Sequence, residues 1–128
     1  MSTSKAELYH DATCPLIAFV HDREFAPGHD WTNSEKLAAT PELIVRYLKT
    51  MVYGNKNAQP DVDCPINYQS NTVLYWKKAW SYFMLNKILA WNEVALTGNP
   101  TRSRSVLELI NAMKKMEAAR LGVPSQAR

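Results

Sequence analysis

The sequence has 128 residues, of which 46% are hydrophobic and 21% are charged, a composition typical of one globular domain and unlike that of a disordered tail. No apolar run approaches the roughly 18 to 20 residues that a membrane-spanning helix needs, and the first five residues lack the apolar stretch of a secretory signal. We therefore expect an intracellular protein with one modest core and no membrane partner.

The formal net charge of +3 is divided unevenly along the chain. Residues 1–69 contain six Lys and Arg residues against nine Asp and Glu residues, which gives −3. Residues 70–128 contain nine against three, which gives +6. An anionic partner is therefore expected to bind the second half of the chain.

Helical spacing of apolar residues begins early in the chain. Residues 8–25 predict a helix that begins or restarts at Pro15, because proline is tolerated in a first helical turn and disfavoured later. Residues 31–40 predict a short helix, for which Asn33 or Ser34 is the expected cap.

A third helix has clear signals at both of its ends. Thr40 followed by Pro41 predicts a capped start, and the apolar spacing that follows indicates a helix that ends near Gly54. Residues 55–69 contain two prolines and several Asn and Asp residues without a helical period, so they predict a long loop between the acidic and basic halves.

The clearest helical pattern starts at Ser70, where apolar and aromatic residues recur every three or four positions. They are Val73, Trp76, Ala79, Trp80, Phe83 and Met84. Such a stripe favours core packing for the tryptophans over a role as stacking platforms for bases. Lys77 and Lys78 lie on the other side, and residues 89–96 predict a short turn before the break at 97–100.

The last predicted helix begins at Ser103 or Ser105, since Ser105 and Glu108 have the spacing of a capping box. Gly122 is expected to stop this helix. Its apolar stripe consists of Val106, Leu109, Ile110, Met113 and Met116. The elements together predict an all-α fold, a compact bundle of four to five helices.

Catalytic and metal-binding patterns are incomplete. His10 and Cys14 lie one helical turn apart, but no close second pair completes a zinc site, and Cys14 and Cys64 are expected to be free thiols. Asp61-Val62-Asp63 lacks the glycine and the glutamate of a calcium loop, and no nucleophile elbow, phosphate loop or dinucleotide fingerprint occurs. We therefore expect no cofactor, no metal, no small-molecule substrate and no self-contained enzyme.

Several short segments in the basic half follow one another in a distinctive order. They are YWKKAWSYFMLNK (75–87), WN (91–92), GNPTRS (98–103), LI (109–110), KKME (114–117) and GVPSQA (122–127). This order resembles the N-terminal region of tyrosine-recombinase-like proteins of Crypton-type DNA transposons and their relatives in algae, diatoms and oomycetes. Leu85 stands where members of that family often have proline.

The resemblance implies a core-binding, SAM-like helical domain over residues 1–122 and the start of a linker at 123–128. Such a domain clamps double-stranded DNA opposite a separate catalytic domain, which carries the tyrosine nucleophile with its arginines and histidine, so this chain by itself is not expected to be an enzyme. The implied setting is the nucleus, with a homo-oligomer on DNA as a further partner.

Matching positions give the candidate DNA-facing residues, and the charge pattern adds two more. The resemblance supplies Lys77, Lys78, Asn86, Lys87, Arg102, Ser103, Lys114 and Lys115, and the charge pattern supplies Arg104 and Arg120. We expect the basic sides of the helices near 71–87 and 104–121 to converge on the duplex. The alternative is a helical protein-interaction module in which acidic and basic halves pair between protomers. A small enzyme built on His10, His21 and Asp residues is a third interpretation.

Overall fold

The computed structural model describes residues 4–120 as helices joined by loops. Its elements, in chain order, are α1 (Lys5–His21), α2 (Asn33–Leu37), α3 (Pro41–Tyr53), α4 (Ser70–Phe83), a 3₁₀ turn (Pro100–Arg102) and α5 (Arg104–Arg120). These residues contain no strand, only an isolated β-bridge between Asn92 and Thr97. The predicted all-α bundle is confirmed. No helix between residues 4 and 120 has the length and apolar character needed to cross a membrane.

Helix α1 does not restart at Pro15, as the sequence predicted, but runs through it. A proline inside a helix removes one backbone hydrogen bond and costs about 3 kcal/mol. Burial of one side of α1, including Leu16 and Ile17, offsets that cost. The indole N–H of Trp80 also donates to the carbonyl of Ala12 at 3.2 Å, which joins α1 to α4 just before the proline.

Helix α2 is capped one residue earlier than Asn33 or Ser34, the two predicted caps. Thr32 accepts the backbone N–H of Glu35 at 3.1 Å, and the Glu35 carboxylate accepts the N–H of Thr32 at 2.8 Å. Thr32 succeeds as the cap because it has a glutamate three residues later, which completes a capping box.

Helix α3 has the predicted bounds. The Thr40 hydroxyl accepts the N–H of Leu43 at 3.3 Å, and Pro41 occupies the first turn. Gly54 ends the helix in the left-handed region, at φ 71°. Residues 55–69 form the predicted loop.

The core lies among α1, α3, α4 and α5, with the side chain of Trp80 completely buried. Both predicted apolar stripes face this core. On α4 the buried members are Val73, Ala79, Trp80 and Met84, and Trp76 and Phe83 are partly buried. On α5 the buried members are Val106, Leu109, Ile110 and Met113, and Met116 is partly buried.

Helix α4 ends at Phe83, so the helix expected near 71–87 is too long by four residues. Met84 is already extended, at φ −73° and ψ 145°, and beyond it the side-chain amide of Asn99 donates to the carbonyl of Lys87 at 2.9 Å.

The start of α5 also differs from the predicted capping box. Ser103 caps this helix, since its hydroxyl accepts the N–H of Val106 at 3.4 Å. Glu108 is therefore not engaged with Ser105 and instead lies 3.6 Å from Arg104. The predicted stop at Gly122 and the linker at 123–128 lie outside the described residues.

Candidate nucleic-acid interface

One side of α4 borders a groove of about 410 Å³ that is rich in positive charge. We call it the basic groove. Its lining comprises Lys5, Tyr9, Leu74, Lys77, Lys78, Ser81, Tyr82, Lys87 and Arg102. Five of these side chains are cationic and none is acidic, so the electrostatic field of the groove favours an anion over a cation.

Three parts of the chain build the groove. Helix α4 contributes Lys77 and Lys78, and the residues after it contribute Lys87 and Arg102. Helix α1 packs beside α4 and contributes Lys5, whose ammonium lies 5.6 Å from the centre of the Tyr9 ring. The charges therefore converge through tertiary packing rather than along one helix.

Tyrosine rings pack together where α1 meets α4, and two of them, Tyr9 and Tyr82, line the basic groove. The ring of Tyr9 meets those of Tyr75 and Tyr82 edge to face, with centroids 5.9 Å and 5.4 Å apart. The Lys87 ammonium lies 5.2 Å from the centre of the Tyr82 ring. Such cation–π contacts hold lysine heads near the groove without neutralising their charge.

Asn99 fixes the wall that carries Lys87 and Arg102. Its side chain is completely buried, and its amide donates to the hydroxyl of Ser81 at 2.7 Å and to the carbonyl of Lys87 at 2.9 Å. Its oxygen accepts the N–H and the hydroxyl of Thr101 at 3.0 Å and 2.7 Å. One amide thus joins α4, the following loop and the 3₁₀ turn.

The side chain of Arg102 is held in place by a hydrogen bond to a backbone carbonyl. Its Nη1 donates to the carbonyl of Ile88 at 2.7 Å. The pKa of Lys77 is lowered from its ordinary value by burial first and by the positive charge of Arg102 second. An anion placed between these two side chains would offset both effects, since it would stabilise the charged form of the lysine.

Four of the ten residues predicted to face DNA line the basic groove: Lys77, Lys78, Lys87 and Arg102. Asn86, Lys114 and Lys115 are exposed but do not line it. The cationic side chains of α5 therefore do not share this groove with those of α4.

The other three predicted residues have partners of their own. Ser103 is only 1% exposed and caps α5, which leaves it no surface for a ligand. Arg104 lies 3.6 Å from Glu108 on the exposed side of α5. Arg120 donates to the carbonyl of Pro65 at 3.4 Å.

Sequence reasoning missed Lys5, Tyr9 and Asn99. Lys5 and Tyr9 belong to the acidic half, where no anion site was sought, although their spacing of four residues puts them on one side of a helix. Asn99 stands between Gly98 and Pro100, a pattern that indicated only a chain break.

The three histidines connect α1, the loop that follows it and α2. His10 donates from Nε2 to the carbonyl of His29 at 2.7 Å and stacks on Trp31 at 4.2 Å. His21 donates from Nε2 to the carbonyl of Glu35 at 2.8 Å. His29 lies 3.0 Å from the Glu35 carboxylate. These contacts give each histidine a structural partner.

The thiols of Cys14 and Cys64 are free, as predicted, with Cys14 partly buried and Cys64 exposed. The sulfur of Cys14 lies 3.4 Å from Nδ1 of His10. Residues 4–120 contain no group of three or more His, Cys, Asp or Glu side chains arranged to hold a metal ion.

Comparisons of the chain with protein-family models, with curated proteins and with solved structures found no match. The features of residues 4–120 on which a function can be proposed are therefore the helical fold and the positive charge of the basic groove.

Proposed function

We propose that this chain binds double-stranded DNA through the basic groove. The observation that carries the proposal is the convergence of five cationic side chains from three parts of the chain on one groove with no acidic lining residue. A DNA backbone presents a regular series of phosphates, and lysine and arginine bind it by phosphate contact and release of condensed counterions.

The charges of the groove favour a polymer over a single small anion. A small anion occupies one point, whereas Lys5 on α1, the α4 lysines and Arg102 belong to different elements around the groove. An extended chain of phosphates can contact several of them at once. Serine and tyrosine hydroxyls in the lining supply the neutral donors that often accompany such contacts.

The expected affinity is modest and strongly salt-dependent. Binding without sequence preference has Kd values on the order of 10⁻⁴ to 10⁻⁶ M at physiological salt. If each of the five groove cations neutralises one phosphate, a plot of the logarithm of the association constant against the logarithm of the salt concentration has a slope near −4.5. Fluorescence anisotropy on a labelled duplex across a salt series measures this slope.

Two lysine pairs on different helices allow a matched comparison. Lys77→Gln with Lys78→Gln removes two charges from the groove, and Lys114→Gln with Lys115→Gln removes two exposed charges from α5. The first variant is expected to make the slope shallower by about 1.8, because two phosphate contacts are lost. The second is expected to leave the slope unchanged. Equal effects would mean that net charge, and not the groove, attracts DNA, and a slope of zero for the unaltered protein would refute duplex binding.

The resemblance to Crypton-type recombinase-like proteins supports a narrower proposal, that the domain positions duplex DNA for strand exchange by a separate catalytic domain. The support is the order of short segments between residues 75 and 127. The test is the reading frame of the genomic locus beyond Arg128. A continuation with an arginine, a His-x-x-Arg motif and a late tyrosine is expected, and a frame that closes without them would exclude a recombinase in the same polypeptide.

A further inference from the structure

A projecting segment beside the basic groove exposes several large apolar side chains. We call residues 85–97 the apolar loop, whose exposed members are Leu85, Ile88, Leu89, Val94 and Leu96. Ile88 is 81% exposed and Val94 is 95% exposed. Soluble proteins rarely present so many large apolar side chains together unless the surface contacts a partner.

Backbone hydrogen bonds fix the conformation of the apolar loop. The N–H of Asn92 donates to the carbonyl of Thr97 at 2.8 Å, and the N–H of Asn99 donates to the carbonyl of Leu89 at 3.0 Å. Gly98 has a φ of 103°, and a Cβ there would lie 2.2 Å from the carbonyl oxygen of Ala90. A fixed backbone lets the loop present its side chains without a large ordering cost on binding.

The apolar loop and the basic groove share one wall. Lys87 lines the groove, and the guanidinium of Arg102 donates to the backbone carbonyl of the next residue, Ile88, at 2.7 Å. Ile88 therefore follows one groove cation in sequence and contacts a second through its backbone, while its side chain is exposed. A polymer that follows the groove past Lys87 and Arg102 would come close to this uncovered apolar residue.

From this juxtaposition we infer that the apolar loop is a wedge that enters the minor groove of duplex DNA and unstacks a base step, with Ile88 as the inserting side chain. The inference rests on the proposed duplex binding. Proteins that kink DNA insert leucine, isoleucine, methionine, phenylalanine or proline between base pairs while neighbouring cations hold the backbone. The cost of unstacking is offset by the additional backbone contacts that a bent duplex makes.

The charges in the loop select Ile88 over Val94. Val94 follows Glu93, the one carboxylate of the apolar loop, which repels phosphates. Ile88 follows Lys87 and lies beside Arg102. Duplex DNA therefore docks on the Ile88 side, and Val94, although more exposed, serves as a matched control.

The test uses a duplex of about 20 base pairs with a central TpA step, which unstacks easily, and 2-aminopurine next to that step. Wild-type protein is expected to raise the 2-aminopurine fluorescence on binding, because the base leaves the stack. Ile88→Ser is expected to lose this rise while still binding the duplex in a salt-dependent way. Val94→Ser is expected to keep both. Both side chains are exposed, so neither substitution should disturb folding.

The possible results separate the wedge from duplex binding itself. Salt-dependent binding without any fluorescence change in the wild type would overturn the wedge and leave duplex binding intact. A loss of the rise in both variants, or in neither, would overturn the assignment of Ile88. Light scattering that shows an oligomer dissolved by Ile88→Ser, with DNA behaviour unchanged, would assign the loop to a protein contact instead. No salt-dependent binding at all would remove the proposed function and the wedge together.

Discussion

Asn99→Ala removes the amide that joins three segments beside the basic groove. The Asn99 oxygen is the acceptor for two groups of Thr101, its N–H and its hydroxyl, in surroundings that exclude water. Leaving a buried polar group without a partner costs about 1 to 3 kcal/mol. The other two partners, the Ser81 hydroxyl and the Lys87 carbonyl, belong to partly exposed and exposed residues and can bond to water.

The expected loss is therefore roughly 2 to 6 kcal/mol from the two Thr101 groups. A domain of this kind has about 5 to 15 kcal/mol of unfolding free energy in total. With a urea m value near 2 kcal/mol/M, the midpoint should fall by about 1 to 3 M. Urea unfolding followed by circular dichroism measures this shift.

Asn92→Ala is the matched control, because the side-chain oxygen of Asn92 also accepts two hydrogen bonds, in this case from the backbone N–H groups of Val94 and Ala95, each at 2.9 Å. Those groups are exposed and can bond to water, so the control should lose no more than about 1 kcal/mol. An equal loss of unfolding free energy in both variants would refute the reasoning, because it would show that burial of the Asn99 partners does not determine the size of the loss. A loss below about 1 kcal/mol for Asn99→Ala would do the same.

Two further predictions concern a glycine and a carboxylate. Gly28→Ala places a methyl group in open space at φ 74°, so it should cost only the left-handed backbone strain of about 1 to 2 kcal/mol. Gly98→Ala should lower the stability more, because its Cβ would meet the Ala90 carbonyl oxygen. Equal thermal midpoints for the two variants would contradict this. The pKa of Glu35 is lowered by its hydrogen bond to His29 first and by the Thr32 backbone N–H second. Its stabilising contribution is therefore fully present above the ordinary carboxyl pKa and is lost as the pH falls through the lowered pKa. Glu35→Gln should therefore destabilise the protein at about pH 6, and the difference from the unaltered protein should shrink as the pH is lowered below the ordinary carboxyl range, in urea unfolding at each pH.

Local signals predicted the elements whose ends are set by neighbouring residues. Helix α3 follows Thr40 and Pro41 and ends at Gly54, as expected, because capping and left-handed termination depend on residues within one turn. The buried stripes of α4 and α5 were likewise evident from spacing alone.

The errors occur where distant contacts override local preference. Pro15 remains inside α1 because one side of that helix is buried against the core. Helix α4 stops at Phe83, and the buried amide of Asn99, 12 residues beyond Lys87 in sequence, holds the Lys87 carbonyl outside the helix. The basic groove was only partly foreseen for the same reason. Clustering along the sequence indicated Lys77 and Lys78, but the contribution of Lys5 depends on α1 packing beside α4, which no local pattern encodes.

The nearness of Lys77 and Arg102 gives the free domain two opposite responses to ionic strength. The positive charge of Arg102 disfavours the charged form of Lys77, and mobile ions screen that repulsion least in dilute buffer. The same dilute buffer favours capture of a polyphosphate most strongly. If the proposed function is right, added salt relieves the repulsion in the free domain and weakens the binding of the phosphate polymer at the same time.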